Sequence, residues 1–306
     1  MSPFNRRRML QGGIAGAAMV LMNQAEGSRT NAPETPAGPP PAAALEPAKL
    51  SVKRRNNIHQ SVSRWCYEHI PLEKLCAYAA EIGLKGIDLL QPEEYDVPAR
   101  HGLLCSMGYA GGGEIVKGLN RLENHDSIEA GLRKYIPVAA KAGVPNVITF
   151  SGLRDGLSDE EGARNTIAGL RRIRAIAEDH GVTVCMELLN SKVDHPGYMC
   201  DRTAWGAGVV GEVGSPNIKL LYDIYHMQIM EGDLIATIRE HHKWIAHYHT
   251  GGVPGRHELN DAQEVQWDGV MRGILGAGFN GYVAHEFVPT GDPLESLREA
   301  VDLCDI

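Results

Sequence analysis

From residue 56 onward, short apolar runs alternate with stretches in which apolar residues recur every three to four positions. The short runs predict buried strands and the periodic stretches predict amphipathic helices. Strands are expected at 57–62, 86–90, 102–107, 146–150, 182–188, 218–223, 244–249 and 281–286. Helices are expected at 72–82, where Leu75, Tyr78, Ala79 and Ile82 share a face, and at 127–142, 158–180, 234–242, 266–277 and 294–305, with another beginning near Arg202. Gln91-Pro92 leads into a short acidic helix, and Ser158 followed by Glu161 forms a capping-box pattern.

Strands alternating with helices point to parallel βαβ units with right-handed crossovers. Eight such units fit a (β/α)₈ barrel, a fold of about 250 residues. A doubly wound sheet is the other arrangement this pattern allows. The absence of a Gly-rich phosphate fingerprint after the first strand weighs against it.

The first residues follow another pattern. Arg6-Arg7-Arg8 precede an apolar, small-residue run at 12–22, which reads as a twin-arginine-type signal over residues 1–27. That run is too short to span a bilayer, so no stable membrane insertion is expected. Residues 28–49 are rich in Pro and Ala and read as an extended linker, leaving 50–306 for the catalytic barrel. The expected location is periplasmic or otherwise extracytoplasmic.

Composition then narrows the function. The chain has 306 residues, 43% of them hydrophobic and 22% charged, ordinary for a globular protein. A net charge of -8 argues against nucleic acid, which favours basic stripes. The six cysteines, Cys66, Cys76, Cys105, Cys185, Cys200 and Cys304, show no metal-finger spacing and read as small buried hydrophobes.

Four predicted strands end in groups that bind hard or borderline metals: Glu187, Asp223, His249 and Glu286. Carboxylates deep in apolar strands are costly unless paired or metal-bound. Barrel active sites lie at the C-terminal strand ends, where all four fall. Three oxygens and one imidazole suit one divalent ion, Mn²⁺ or Mg²⁺ first, with Co²⁺, Fe²⁺ or Zn²⁺ also compatible. His247 shares a strand face with His249, and His285 faces away from Glu286. His226 and Arg256, the latter in the loop after the seventh strand, are candidates for holding substrate oxygens. His59 and the Gly111-Gly112-Gly113 loop are further candidates.

The blocks Tyr222-Asp223-Ile224-Tyr225-His226-Met227-Gln228-Ile229-Met230-Glu231-Gly232-Asp233 and Val253-Pro254-Gly255-Arg256-His257-Glu258 resemble the hydroxypyruvate isomerase family. More broadly, residues from Asn56 to the C-terminus are similar to the xylose-isomerase-like barrels, which include ketose 3-epimerases. The resemblance implies a metal-dependent isomerase or epimerase of a small hydroxy-ketone, working through a metal-stabilised enediolate. In it Glu187 and Glu286 would bind the metal and exchange the substrate proton, in a homo-oligomer. His249 stands where hydroxypyruvate isomerases carry Gln and is closer to the sugar epimerases. A lyase or hydrolase of an oxidised sugar or glycoside would use the same site. An abasic-site nuclease would need several zinc ions and more histidines, and a non-catalytic sugar-binding protein would not need buried acids.

Overall fold

The computed structural model describes residues 54–306, so the expected signal and linker lie outside the described residues. Eight parallel strands close in sequence order: β1 (His59–Ser63), β2 (Gly86–Leu90), β3 (Leu104–Tyr109), β4 (Asn146–Thr149), β5 (Thr183–Leu188), β6 (Ile218–Asp223), β7 (Ile245–Thr250) and β8 (Tyr282–His285). The closing pair is in register at Ser61 and Ala284. This is the (β/α)₈ barrel expected from the alternation.

Helices α1 (Leu72–Glu81), α2 (His125–Lys141), α3 (Asp159–His180), α4 (Thr203–Val213), α5 (Ile224–Met230), α6 (Leu234–His241), α7 (Trp267–Gly276) and α8 (Pro293–Cys304) follow the strands. The Ser158 hydroxyl accepts from the Glu161 amide at 3.1 Å and starts α3, and Gly181 ends it at φ 64°. Between β2 and β3 only two short 3₁₀ turns form, Pro92–Glu94 and Pro98–His101, in place of a full helix. Two closely placed prolines leave too few interior amide donors to propagate one.

α5 was not anticipated. β6 ends in Asp223, whose Oδ1 accepts from the His226 amide at 3.2 Å, so the carboxylate caps a helix that begins at the next residue. One side chain therefore ends a strand, starts a helix and keeps Oδ2 for the barrel mouth. All six cysteines are buried and unpaired, as their apolar settings implied. Among the described residues no helix is long and apolar enough to cross a membrane.

Candidate active site

Glu187, Asp223, His249 and Glu286 end or directly follow β5, β6, β7 and β8 and meet at the C-terminal mouth. One ligand atom from each lies within 4.8 Å of all the others, and each residue is at most 5% exposed. His249 Nδ1 sits 2.7 Å from Glu286 Oε2, 3.5 Å from Glu187 Oε1 and 4.0 Å from Asp223 Oδ2. Among the described residues, no hydrogen-bond geometry satisfies that nitrogen. Three buried carboxylates around an orphaned imidazole nitrogen form a donor set that could hold one divalent cation.

The other face of the His249 ring is held. Nε2 lies 2.8 Å from Asp88 Oδ2, and Asp88 Oδ1 accepts from Ser106 Oγ at 2.6 Å and lies 3.2 Å from His247 Nε2. A carboxylate on Nε2 puts the proton there and leaves Nδ1 to coordinate, the usual support for a metal-bound histidine. Burial pushes the Asp88 carboxyl up, but His247 and His249 overcome that and keep it ionised. Sequence reasoning passed Asp88 by. The available signal was an acid within Gly86–Leu90, a run buried at every position.

The carboxylates respond differently to the same crowded site. Burial raises Asp223 to about 7 against the opposing pull of Arg256, and burial likewise raises Glu187. Glu286 is desolvated too, yet the Arg256 guanidinium and His249 hold it below the ordinary carboxylate range. Arg256 Nη2 donates to Asp223 Oδ2 at 2.9 Å and to Glu286 Oε2, and Nε donates to the Glu286 carbonyl at 3.2 Å. Its guanidinium lies 5.4 Å from the Trp65 ring centre and 5.3 Å from that of Tyr225. Arg256 adopts φ 59° in a tight turn closed by its amide to the Gly252 carbonyl at 2.9 Å. A non-glycine residue in that region is held there against its own preference, a pattern common at functional sites.

His226 is fully buried. Its Nδ1 accepts from the Asn190 amide at 3.1 Å, which puts the proton on Nε2. Nε2 has no hydrogen-bond partner among the described residues and lies 3.6 Å from Asp223 Oδ2, beside the ligand cluster. Burial and Arg256 keep this imidazole neutral. The ring of His195, not anticipated, lies tilted 5.4 Å from that of His226 and lines the cavity above the cluster. His285 bonds Gln60 at 2.8 Å and lies 3.1 Å from Thr250 Oγ1, a structural role on the face away from Glu286.

One candidate lies away from the mouth. His59 opens β1, paired with the first residue of β8, so it lies at the N-terminal end of the barrel, opposite the mouth. Side-chain type had suggested a ligand, but strand direction removes it from the site. At the glycine loop, a Cβ on Gly112 would stand 2.2 Å from the Ile148 carbonyl oxygen, so the loop can lie against β4 only without one.

Residues 76–305 match the family model described as xylose isomerase-like TIM barrel. The chain is 30% identical over 233 residues to 2-oxo-tetronate isomerase of Cupriavidus necator, covering 72% of this chain and 88% of that protein. It is 26% identical over 231 residues to hydroxypyruvate isomerase of Escherichia coli, covering 72% and 89%. A solved structure from Brucella melitensis, described as AP endonuclease, family 2, superposes with a TM-score of 0.70 at 26% identity, over 78% of this chain and 96% of that one.

Proposed function

Because the chain belongs to the xylose isomerase-like TIM barrel family, we propose that it is a divalent-metal-dependent isomerase or epimerase of a small hydroxy-ketone, moving a proton beside the carbonyl through an enediolate. The observation that carries this reading is the meeting of Glu187 and Glu286 around an unpartnered His249 Nδ1. The names of the relatives, 2-oxo-tetronate isomerase and hydroxypyruvate isomerase, support the reaction class.

Glu187, Asp223, His249 and Glu286 would hold the ion, with Mn²⁺ or Mg²⁺ the first choices for an oxygen-rich set. When bound, such an ion supplies Lewis-acid polarisation of a carbonyl and stabilises developing negative charge. The protein's own groups handle the proton. Burial favours the protonated form of Glu187, while the Arg256 guanidinium favours the ionised form of Glu286. Pairs whose environments push their proton affinities apart suit acid–base exchange. Return of the proton to the neighbouring carbon gives an isomer, and return to the opposite face gives an epimer. His226 Nε2–H is fixed as a donor for a substrate oxygen, and Arg256 orients another. The rings of Trp65 and Tyr225 flank the Arg256 guanidinium and help fix its orientation.

The test is reconstitution. Protein stripped by chelator should lose turnover of ketose and keto-acid substrates and regain it with one equivalent of Mn²⁺ or Mg²⁺. Full activity of metal-free protein would refute the reading. The basic residues Arg6-Arg7-Arg8 and the small-residue run behind them support export as a second element of the proposal. Fusion of residues 1–27 to a folded reporter, followed by fractionation, checks it; a reporter retained in the cytoplasm would reject it.

A further inference from the structure

The loop after β5 is closed by one side chain. Asn190 lies two residues past β5 and is fully buried. Its Oδ1 accepts from the Val193 amide at 3.0 Å and from the Asp194 amide at 2.9 Å. Its backbone carbonyl accepts from the His195 amide at 3.1 Å. Two backbone donors on one side-chain atom identify that atom as the oxygen, because an amide nitrogen accepts from neither. Nδ2 is therefore the end that lies 2.7 Å from His226 Nδ1 and donates to Asp194 Oδ2 at 2.6 Å.

Nδ2 carries two hydrogens, one for each of those neighbours. His226 Nδ1 thus faces two donors, the Asn190 side chain and the Asn190 backbone amide at 3.1 Å, and acts only as an acceptor. The proton of the neutral ring stays on Nε2, the nitrogen beside the ligand cluster. Asp194 completes the arrangement, since Tyr225 Oη donates to the same Oδ2 at 2.9 Å. The Tyr225 ring meets His226 edge-on at 5.0 Å between centres and lies 5.3 Å from the Arg256 guanidinium. One carboxylate outside the ligand cluster therefore braces both groups assigned to substrate oxygens, His226 and Arg256.

We propose that Asn190 and Asp194 are positioning residues. The Asn190 amide locks His226 with its proton on Nε2, and Asp194 holds that amide and Tyr225 in place. Neither residue belongs to the candidate ligand set or lines the cavity above it. The inference rests on the isomerase or epimerase reading for what Nε2 donates to; the position of the proton does not depend on that reading.

The experiment is ¹⁵N NMR of the histidine rings in Mg²⁺-loaded protein, with His226→Gln identifying the His226 signals. Wild type should show Nε2 protonated and Nδ1 bare. Asn190→Asp keeps an oxygen for the two loop amides but replaces the donor with a second acceptor, which should draw the proton onto Nδ1. With it kcat/KM should fall about 10²-fold, the order expected when one oriented donor is lost. The same substitution in a His226→Gln background should cost nothing further, because a positioning residue acts only through the ring. Asp194→Asn retains an oxygen for Asn190 and Tyr225 and should keep turnover close to wild type, whereas Asp194→Ala should cost about tenfold, the size of one lost hydrogen bond. A wild-type ring protonated on Nδ1 would overturn the inference whether or not the variants fold. So would an Asn190→Asp ring that keeps the wild-type proton position, or an undiminished loss in the His226→Gln background. Deuterium exchange into substrate, measured on the same samples, separates the two claims. Exchange with the proton on Nδ1 keeps the reaction class and removes the positioning role. The proton on Nε2, moved by Asn190→Asp, with no exchange keeps the lock on the ring and removes the reaction class.

Discussion

The barrel divides its work between halves. Strands β5 to β8 bring all four candidate metal ligands to the mouth, each through a charged or ionisable group at or just past a strand end. The opposite side of the cavity draws on β1 to β4 and the residues after them, Trp65, Leu89, Tyr109 and Phe150. One half holds groups that are expensive to bury and therefore need a partner. The other holds groups that are favourable to bury yet line an open cavity. Asp88 is the exception, an acid from β2 that crosses the interior to hold His249. The four candidate ligands and most of the apolar wall thus come from different strands.

The largest effect should come from the chemical half. Glu187→Gln and Glu286→Gln should each lower kcat by about 10³-fold, within the range expected for general acid–base groups. Steady-state assays decide it, and activity within tenfold of wild type would remove the residue from that role. Next is the exception that joins the halves. Asp88→Asn should weaken metal binding about 10- to 100-fold, as loss of a carboxylate behind a ligating histidine does elsewhere. Competition with a chromophoric chelator measures it; unchanged affinity would mean that the rest of the barrel fixes the His249 ring. On the apolar wall, Leu189, which follows β5 but lines the same cavity, should on replacement by Ala lower stability by about 2–5 kcal/mol, since it is only 2% exposed. Denaturant titration reads it, and a change below about 1 kcal/mol would show that the wall can collapse around the gap.

The smallest effect concerns the loop that carries Arg256. Glu258 accepts from the Thr290 amide at 2.6 Å and the Gly291 amide at 3.1 Å, tying that loop to the segment after β8. Partial burial would raise its carboxyl, but these amides lower it from 4.5 to about 2. A carboxylate lowered in the folded state contributes stability that is present above pH 4.5 and is lost as pH falls toward 2. The melting temperature of Glu258→Gln should therefore depend less steeply on pH between those values than that of wild type. Identical acid slopes would contradict this.

The two halves also differed in how far the sequence revealed them. Acids ending apolar runs stand out because burial without a partner is so unfavourable, so Glu187, Asp223 and Glu286 could be named from the chain alone, and His249 by its register with them. The wall could not. Tyr109, Phe150 and Leu189 in apolar surroundings look the same whether they face a core or a cavity. Leu89 was doubly hidden, because strict alternation sends it outward and only the irregularity in β2 turns it in. Strand direction, which displaced His59, was available from the barrel topology but was outweighed by residue type. The cap made by Asp223 shows the same limit, since a ligand and a helix start were encoded in one side chain.

The central claim is that the mouth moves a carbon-bound proton beside a carbonyl. Proton NMR in D₂O with Mg²⁺-loaded protein and a set of ketoses and keto acids tests it directly. The account predicts deuterium entering next to the carbonyl while a new isomer or epimer grows in. Turnover of substrate with no deuterium at that carbon, metal being bound, would contradict it and direct attention to lyase or hydrolase chemistry at the same four residues.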